Sequence, residues 1–323
     1  MRDLIYEINK WLAKDNKIAL ATVIKTWGSS PLETGAHMAI TSDGEFAGSV
    51  SGGCVESAVI DTSSTVIKTG KSVKLHFGVS DESAWEIGLA CGGEIDVFVQ
   101  PLDKVFFFQL QSLIKAEKMA WYSIVIGGSE KQLGHSKIIE GRIDRTFPFI
   151  EQEETPKGKI TKFINAISPS PTLIIIGGVH IAIKLAQLAK TLEFKTIVID
   201  PRGAFGNSSR FPEIDQMLTT WPQDAFENLK INNSTAIVTL THDPKIDDPT
   251  LVAALNSPAF YVGALGSRKT QKKRHERLRN IGLTKSQLDK IRGPIGLDIR
   301  ADSPPEIAVS IMAEIVAVRN GLL

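Results

Sequence analysis

Cysteine is nearly absent. Only Cys54 and Cys91 occur in 323 residues, so a disulfide framework is excluded and a reducing, cytoplasmic setting is expected. Two thiols are also too few for iron–sulfur clusters. No Cys-x-x-Cys pair and no nearby paired histidines occur, so a zinc centre is not expected. Excess charge is missing as well. Lys and Arg number 37 against 36 Asp and Glu, a formal net charge of +1, so nothing global points to nucleic acid or to a membrane surface. No apolar run approaches the ~20 residues of a membrane span. Residues 1–17 alternate charges with Leu4, Ile5, Ile8, Trp11 and Leu12, which is an amphipathic helix rather than a secretory leader.

The remaining composition is that of an ordinary globular protein, with 42% hydrophobic and 23% charged residues. The length predicts two domains. The pair Ser168-Pro169-Ser170-Pro171 is the natural boundary, giving an N-terminal α+β domain over 1–168 and a C-terminal domain over 169–323. The expected fold class is α/β, the second domain being a Rossmann-like, doubly wound parallel sheet.

In the first domain, strands are expected at 18–25, 37–41 and 45–50, with Asp43-Gly44 as the hairpin turn between the last two. The third strand runs into Ser51-Gly52-Gly53-Cys54-Val55-Glu56 and a helix over 55–64. Two glycines allow a tight turn that exposes N–H groups. A cysteine on the first helical turn then feels the helix dipole, which favours its thiolate. The alternative is a small packed residue, since free cysteine is among the most buried types. A strand over 72–77 follows, then Cys91-Gly92-Gly93-Glu94 and a strand over 95–100. The two turns read as reversed copies, Gly-Gly-Cys and Cys-Gly-Gly. Convergence of both sulfurs on one ligand is therefore expected, against the alternative that one or both are inert. A helix over 106–116 and strands at 121–126, 136–140 and 143–147 complete the pattern, and 151–159 is a charged stretch with Pro156 and Gly158.

The second domain opens with a continuous apolar strand over 172–176, of the kind buried on both faces of a parallel sheet. Gly177-Gly178-Val179-His180 turns it into a helix with Ile181, Leu185, Leu188 and Leu192 at helical spacing. A strand over 195–199 ends at Asp200, 23 residues past Gly177. This is the outline of a dinucleotide unit. Val179 stands at the second fingerprint glycine, which weakens close pyrophosphate contact. Strands at 214–219, 236–240 and 260–264 alternate with helices at 224–229 and 248–256. The turn before Arg268, with Gly266 and Ser267, is a helix start able to hold a phosphate. The helix it opens is strongly basic but lacks aromatics, so nucleic acid is not its expected partner. Ser303 and Glu306 form a capping box, with Pro304 between them, for the last helix. The first and fourth strands should flank the ligand crevice, bringing His180 and His242 toward it. His242 and Asp243 read equally well as a turn and helix cap. Asp298, in a glycine–proline loop, is placed to close over the same crevice.

Residues 26–31, 48–56, Cys91-Gly92-Gly93, Asp200-Pro201-Arg202, 261–268 and 293–298 together resemble the xanthine dehydrogenase accessory (XdhC/CoxI) family, from about Ile18 to the C-terminus with a break in the middle. The resemblance implies a carrier of the molybdenum cofactor (molybdopterin), one that protects it while it gains a terminal sulfur and places it in a molybdenum hydroxylase. It implies a xanthine dehydrogenase-type hydroxylase as partner and a cysteine desulfurase beside it, while a homodimer is the general expectation for a two-domain cytosolic protein. Ser51, Gly52, Gly53, Cys54, Glu56 and Cys91 become cofactor-site residues, with the two cysteines as molybdenum contacts. Gly177, Gly178, His180, Asp200, Arg202, His242, Gly266, Ser267, Arg268 and Asp298 become the candidates for the cofactor's phosphate or nucleotide end. Leu32, Glu33, His37 and Val179 depart from the family pattern and argue against a tightly held phosphate. The competing reading is an NAD(P)-dependent oxidoreductase, supported by the strand–turn–helix unit and Asp200. A xanthine dehydrogenase proper is not expected, because the chain is too short for a separate molybdenum domain.

Overall fold

The computed structural model describes residues 1–28, 32–53, 55–78, 93–139, 143, 148–156 and 158–323, with Ser208 by its backbone alone. The expected strand over 143–147 falls almost entirely outside these residues. Two compact units emerge, Met1–Pro169 and Ser170–Leu323.

The first unit is built on β1 (Ile18–Trp27), whose run of branched and small residues is buried from end to end of its first seven positions. It pairs antiparallel with β2 (His37–Thr41) on one side and β5 (Glu94–Pro101) on the other. β3 (Phe46–Gly48) and β4 (Val73–Phe77) form the edges, giving the order β3-β2-β1-β5-β4. The two-residue side-chain period assigns the faces. Ala19, Ala21, Val23, Val97 and Val99 pack against Val55, Val59 and Val66 of the helix α2 (Glu56–Thr69) and the turn before it. Ile24 and Phe98 face the other way, onto Tyr122, Ile124 and Phe163 of a second sheet.

That second sheet has four antiparallel strands, β6 (Ala120–Gly127), β7 (Ser136–Ile139), β8 (Phe149–Thr155) and β9 (Gly158–Ile167), in the order β7-β6-β9-β8. The β8–β9 hairpin replaces what reads in sequence as a charged connection. Its first strand carries Glu151, Glu153 and Glu154 on an exposed edge, where charge discourages further pairing and hides the hydrophobic alternation. Helices α1 (Ile5–Leu12) and α3 (Lys104–Lys115) fill the remaining core, with Ile8 and Trp11 on Leu20 and Phe107, and Phe106 and Leu110 on Tyr122. One buried polar chain ties the two sheets together. Thr22 Oγ1 lies 3.0 Å from His37 Nδ1, and His37 Nε2 lies 3.1 Å from Tyr122 Oη, which also accepts from Asn165 Nδ2 at 3.0 Å. Burial holds His37 well below the ordinary histidine range, so the ring is neutral.

The second unit is a six-stranded parallel sheet. It comprises β10 (Thr172–Ile176), β11 (Lys195–Ile199), β12 (Gln216–Leu218), β13 (Thr235–Thr239), β14 (Tyr261–Ala264) and β15 (Ile291–Arg292). The order is β12-β11-β10-β13-β14-β15, with the reversal of strand sequence between β10 and β13. Leu173 and Ile175 pack under α4 (His180–Thr191) and α9 (Pro304–Arg319). Ile174 and Ile176 pack under α5 (Pro222–Asn228), α6 (Pro244–Leu255), α7 (Arg268–Asn280) and α8 (Lys285–Leu288). The chain is thus α/β, with an antiparallel α+β unit followed by a doubly wound Rossmann-like sheet. Helix α6 begins earlier than expected because Asp243 caps it and Pro244 occupies its first position, and Pro249 is tolerated inside it. Among the described residues no helix is long and apolar enough to cross a membrane.

Candidate functional site

The turn from Ser49 to Glu56 closes on one carboxylate. Gly53, at φ +115°, lets the chain fold back so that its N–H points inward. Glu56 Oε1 accepts from Ser49 Oγ at 2.6 Å, Ser51 N at 3.0 Å and Gly52 N at 3.2 Å. Its Oε2 accepts from Ser51 Oγ at 2.7 Å and Gly53 N at 3.0 Å. Ser51 Oγ in turn accepts from Val55 N at 3.3 Å. Glu56 is the first residue of α2, where the dipole also favours an anion. Partial burial alone would raise its pKa, but the serine and backbone donors outweigh burial and bring it to about 2. The N–H groups that the sequence offers to a ligand are therefore held by the chain's own glutamate.

Cys54 and Cys91 both lie outside the described residues. Their described neighbours run to or from the same end of the five-stranded sheet. Gly48 pairs with Met38, which stands opposite Ala21 of β1, whereas Glu94 pairs with Trp27 and Phe77 with Ile95, so β3 ends roughly 20 Å short of the exit of β4 and the entry to β5 along the strand direction. β3 and β5 are three strand spacings apart, or about 14 Å. At that same end stands a cluster that sequence reading misses. His76 Nδ1 is 2.7 Å from Asp96 Oδ1, and Lys74 Nζ is 2.8 Å from Asp96 Oδ2. Burial would raise the Asp96 pKa, but bonds from Lys74 and His76 lower it below the usual range, so it stays anionic. The signal was cross-strand pairing of β4 with β5, which the long gap between the strands conceals.

The remaining candidates gather at the carboxyl end of the parallel sheet. His180 opens α4 after β10, Asp200 and Arg202 follow β11, and His242 follows β13. Gly266, Ser267 and Arg268 follow β14, with Ser267 Oγ accepting from Thr270 N as the cap of α7. Asp298 lies exposed in the loop after β15. His242 is exposed and holds φ at +65°, a costly conformation for a histidine. Behind it, Thr241 Oγ1 donates to Asp247 Oδ1 at 2.6 Å, and the buried Asp247 pairs with the buried Arg274 at 3.2 Å.

The glycine turn itself is closed. Gly178 N donates to Asp200 Oδ2 at 2.8 Å, and Arg202 covers both oxygens of Asp200 through Nε at 2.9 Å and Nη2 at 2.8 Å. Burial would raise the Asp200 pKa, but Arg202 and the backbone donors hold it below the usual range. A Cβ on Gly178 would sit 2.3 Å from the carbonyl oxygen of Phe205. Arg210 Nη1 donates to Gly178 O at 2.6 Å, and Arg202 stacks 4.3 Å from the Phe205 ring centre. A dinucleotide needs a free N–H at this turn, open space over the glycine and a free carboxylate for its ribose. The Gly178 N–H, the space over Gly178 and the Asp200 carboxylate are each occupied, so no free carboxylate remains for a ribose in this arrangement, while the start of α4 at Val179–Ile181 is not covered by these contacts.

Two family models match the chain: the XdhC and CoxI family over residues 11–78, and the XdhC Rossmann domain over residues 173–315. A Bacillus subtilis protein, named as a probable xanthine dehydrogenase subunit, is 28% identical over 96% of this chain and 95% of its own length. The Escherichia coli molybdenum cofactor insertion chaperone PaoD is 26% identical over 93% of this chain and 83% of its own. A Bacillus halodurans crystal structure described as a xanthine dehydrogenase superposes with a TM-score of 0.78 at 25% identity, covering 99% of this chain and 96% of that one. With both halves matched by models of one family, and the same two-unit fold in a solved relative, this chain belongs to the XdhC/CoxI family.

Proposed function

We propose that this chain is an accessory protein that binds a molybdenum cofactor and delivers it to a xanthine dehydrogenase-type hydroxylase. The observation that carries the choice is the closed Gly178 turn, with Asp200 held by Arg202 and Phe205 seated over the glycine. That arrangement takes Asp200, one of the two supports for a nicotinamide-dependent oxidoreductase, out of play. Similarity to PaoD over most of both chains supports the carrier reading. The donor set fits: the cofactor presents a soft dithiolene and an anionic polar end, and Cys54 and Cys91 are soft sulfur ligands in a chain that has no other cysteines. Ser49, Ser51 and Glu56 act by shaping the turn that carries Cys54. In the second unit, His180, His242, Ser267, Arg268 and Asp298 are the candidates for binding an anionic group. The reading extends to shielding the cofactor while a cysteine desulfurase supplies its terminal sulfur.

The test is elemental analysis and pterin release on protein purified from a molybdate-fed host. Stoichiometric molybdenum with bound pterin is expected, together with loss of retention in Cys54→Ser. NADH oxidation by molybdenum-free protein would reverse the ranking.

A further inference from the structure

The chain is nearly neutral, but its charge is not evenly spread. Helix α7 carries seven basic residues in thirteen and a single acid, Glu276. Two of the seven are committed. Arg274 is buried against Asp247, and Arg277 holds Asp248 through Nε at 2.6 Å and Nη2 at 2.9 Å. Arg268, Lys269, Lys272, Lys273 and Arg279 are exposed and form no ion pair among the described residues. A solvated helix face ordinarily mixes signs so that neighbours at four-residue spacing attract. Here five cations share one side with a single exposed acid, Glu276, four residues after Lys272.

The basic ridge runs into an apolar groove. Just past the end of α7 stands Ile281, which is 63% exposed. Ile281 lines an open groove of about 740 Å³ together with Pro244, Pro249 and Val252 of α6 and the Arg277–Asp248 pair. Lys269, Lys273, Arg277 and Ile281 follow one another at intervals of four, a row that slants about 40° round the helix at each step and leads from the basic face to the groove. From Lys269 to Ile281 it is about 18 Å long, the length of a three-turn helix. We propose that this track docks a helix of the client hydroxylase that bears acidic residues at four-residue spacing and an apolar residue about three turns along. The acids would meet Lys269 and Lys273, and the apolar residue would fill the groove beside Ile281. Nucleic acid fits less well, because the track offers no aromatic surface for bases and its far end is apolar. The proposal rests on the delivery reading above for the identity of the partner, but not for the chemistry of the surface.

The test uses the full chain and the xanthine dehydrogenase-type hydroxylase of the same organism, prepared free of molybdenum. Binding is titrated at low and physiological salt for the wild type, for Lys269→Glu/Lys273→Glu and for Ile281→Asp, with melting temperature and molybdenum retention measured beside it. The wild type is expected to bind more tightly at low salt. Each variant should weaken binding at least tenfold with melting and retention unchanged, and the lysine variant should lose most of the salt dependence. Binding that is unaffected in both variants overturns the dock and leaves the carrier reading standing. No binding by a wild type that retains cofactor overturns the dock and the delivery step together. Variant-sensitive binding without cofactor retention supports the dock and sinks the carrier reading. An Ile281→Asp change that only converts dimer to monomer assigns the groove to self-association and overturns the proposal.

Discussion

Replacing Glu56 by glutamine keeps the shape of the side chain and removes its charge. Five donors converge on the native carboxylate: two hydroxyls and three backbone N–H groups, at 2.6–3.2 Å. The amide has one acceptor oxygen. If its NH2 group takes the place of Oε2, it sets donor against donor at the Gly53 N–H and forces the Ser51 hydroxyl to turn round and accept. The drop of the Glu56 pKa from 4.5 to about 2 gives the scale. Taken at face value it corresponds to roughly 3 kcal/mol, but the group is only partly buried, and solvent screening reduces this to about 1–2 kcal/mol. The sign follows from linkage. The folded pKa lies below the unfolded one, so the stabilisation is full above pH 4.5 and fades as pH falls toward about 2. Thermal melting of the wild type and Glu56→Gln at pH 7 should differ by roughly 2–8 °C in the transition of the first unit. The gap should shrink steadily below pH 4.5. Equal melting at pH 7, or a gap that persists unchanged at pH 2.5, would refute the claim that the carboxylate organises the turn.

Three further outcomes are expected. His37 is buried and neutral, with the N-terminal ammonium as an added repulsion, so the unfolded state binds its proton first as pH falls. Stability should decline below pH 6.5 by up to about 1.4 kcal/mol per pH unit, and His37→Gln should flatten that slope in denaturant titrations. Asp247→Ala strands the buried Arg274 guanidinium and should cost about 3–5 kcal/mol by chemical denaturation. A loss under 1 kcal/mol would mean that Arg274 finds solvent. Gly178→Ala drives a methyl into the Phe205 carbonyl and should cost about 1–3 kcal/mol, read as a lower melting temperature of the second unit. An unchanged melting point would mean that the loop does not rest on the turn.

The parallel sheet was largely legible because its strands announce themselves. β10 and β11 are apolar runs bounded by glycine or an acid, and the observed bounds coincide with the expected ones. The capping box of α9 was equally plain, with Ser303 and Glu306 at the required interval. What was not legible depended on partners distant in sequence. β8 hides because its exposed edge needs charge and not alternation. The two-residue β15 exists only through pairing with β14. The chain from Thr22 through His37 and Tyr122 to Asn165 joins four positions spread over more than 140 residues, and no local pattern marks it. The same limit explains the site. Glycines, a cysteine and a glutamate in one turn can be seen in sequence, but not which way the glutamate faces.

That orientation bears on the thiol. A helix start lowers a cysteine pKa when its N–H groups and dipole are free to meet the sulfur. Between Gly53 and Val55, the N–H groups of Ser51, Gly52 and Gly53 already serve Glu56, and a carboxylate that remains ionised down to about pH 2 sits two residues on. A second anion close by raises a thiol pKa rather than lowering it. A nucleophile that turns over needs an activated thiol at rest. On this argument Glu56→Gln should make Cys54 more reactive toward a neutral alkylating agent at pH 7, at the same time as it loosens the turn. Slower alkylation in the variant would show that the carboxylate activates the thiol and would return Cys54 to the class of catalytic cysteines.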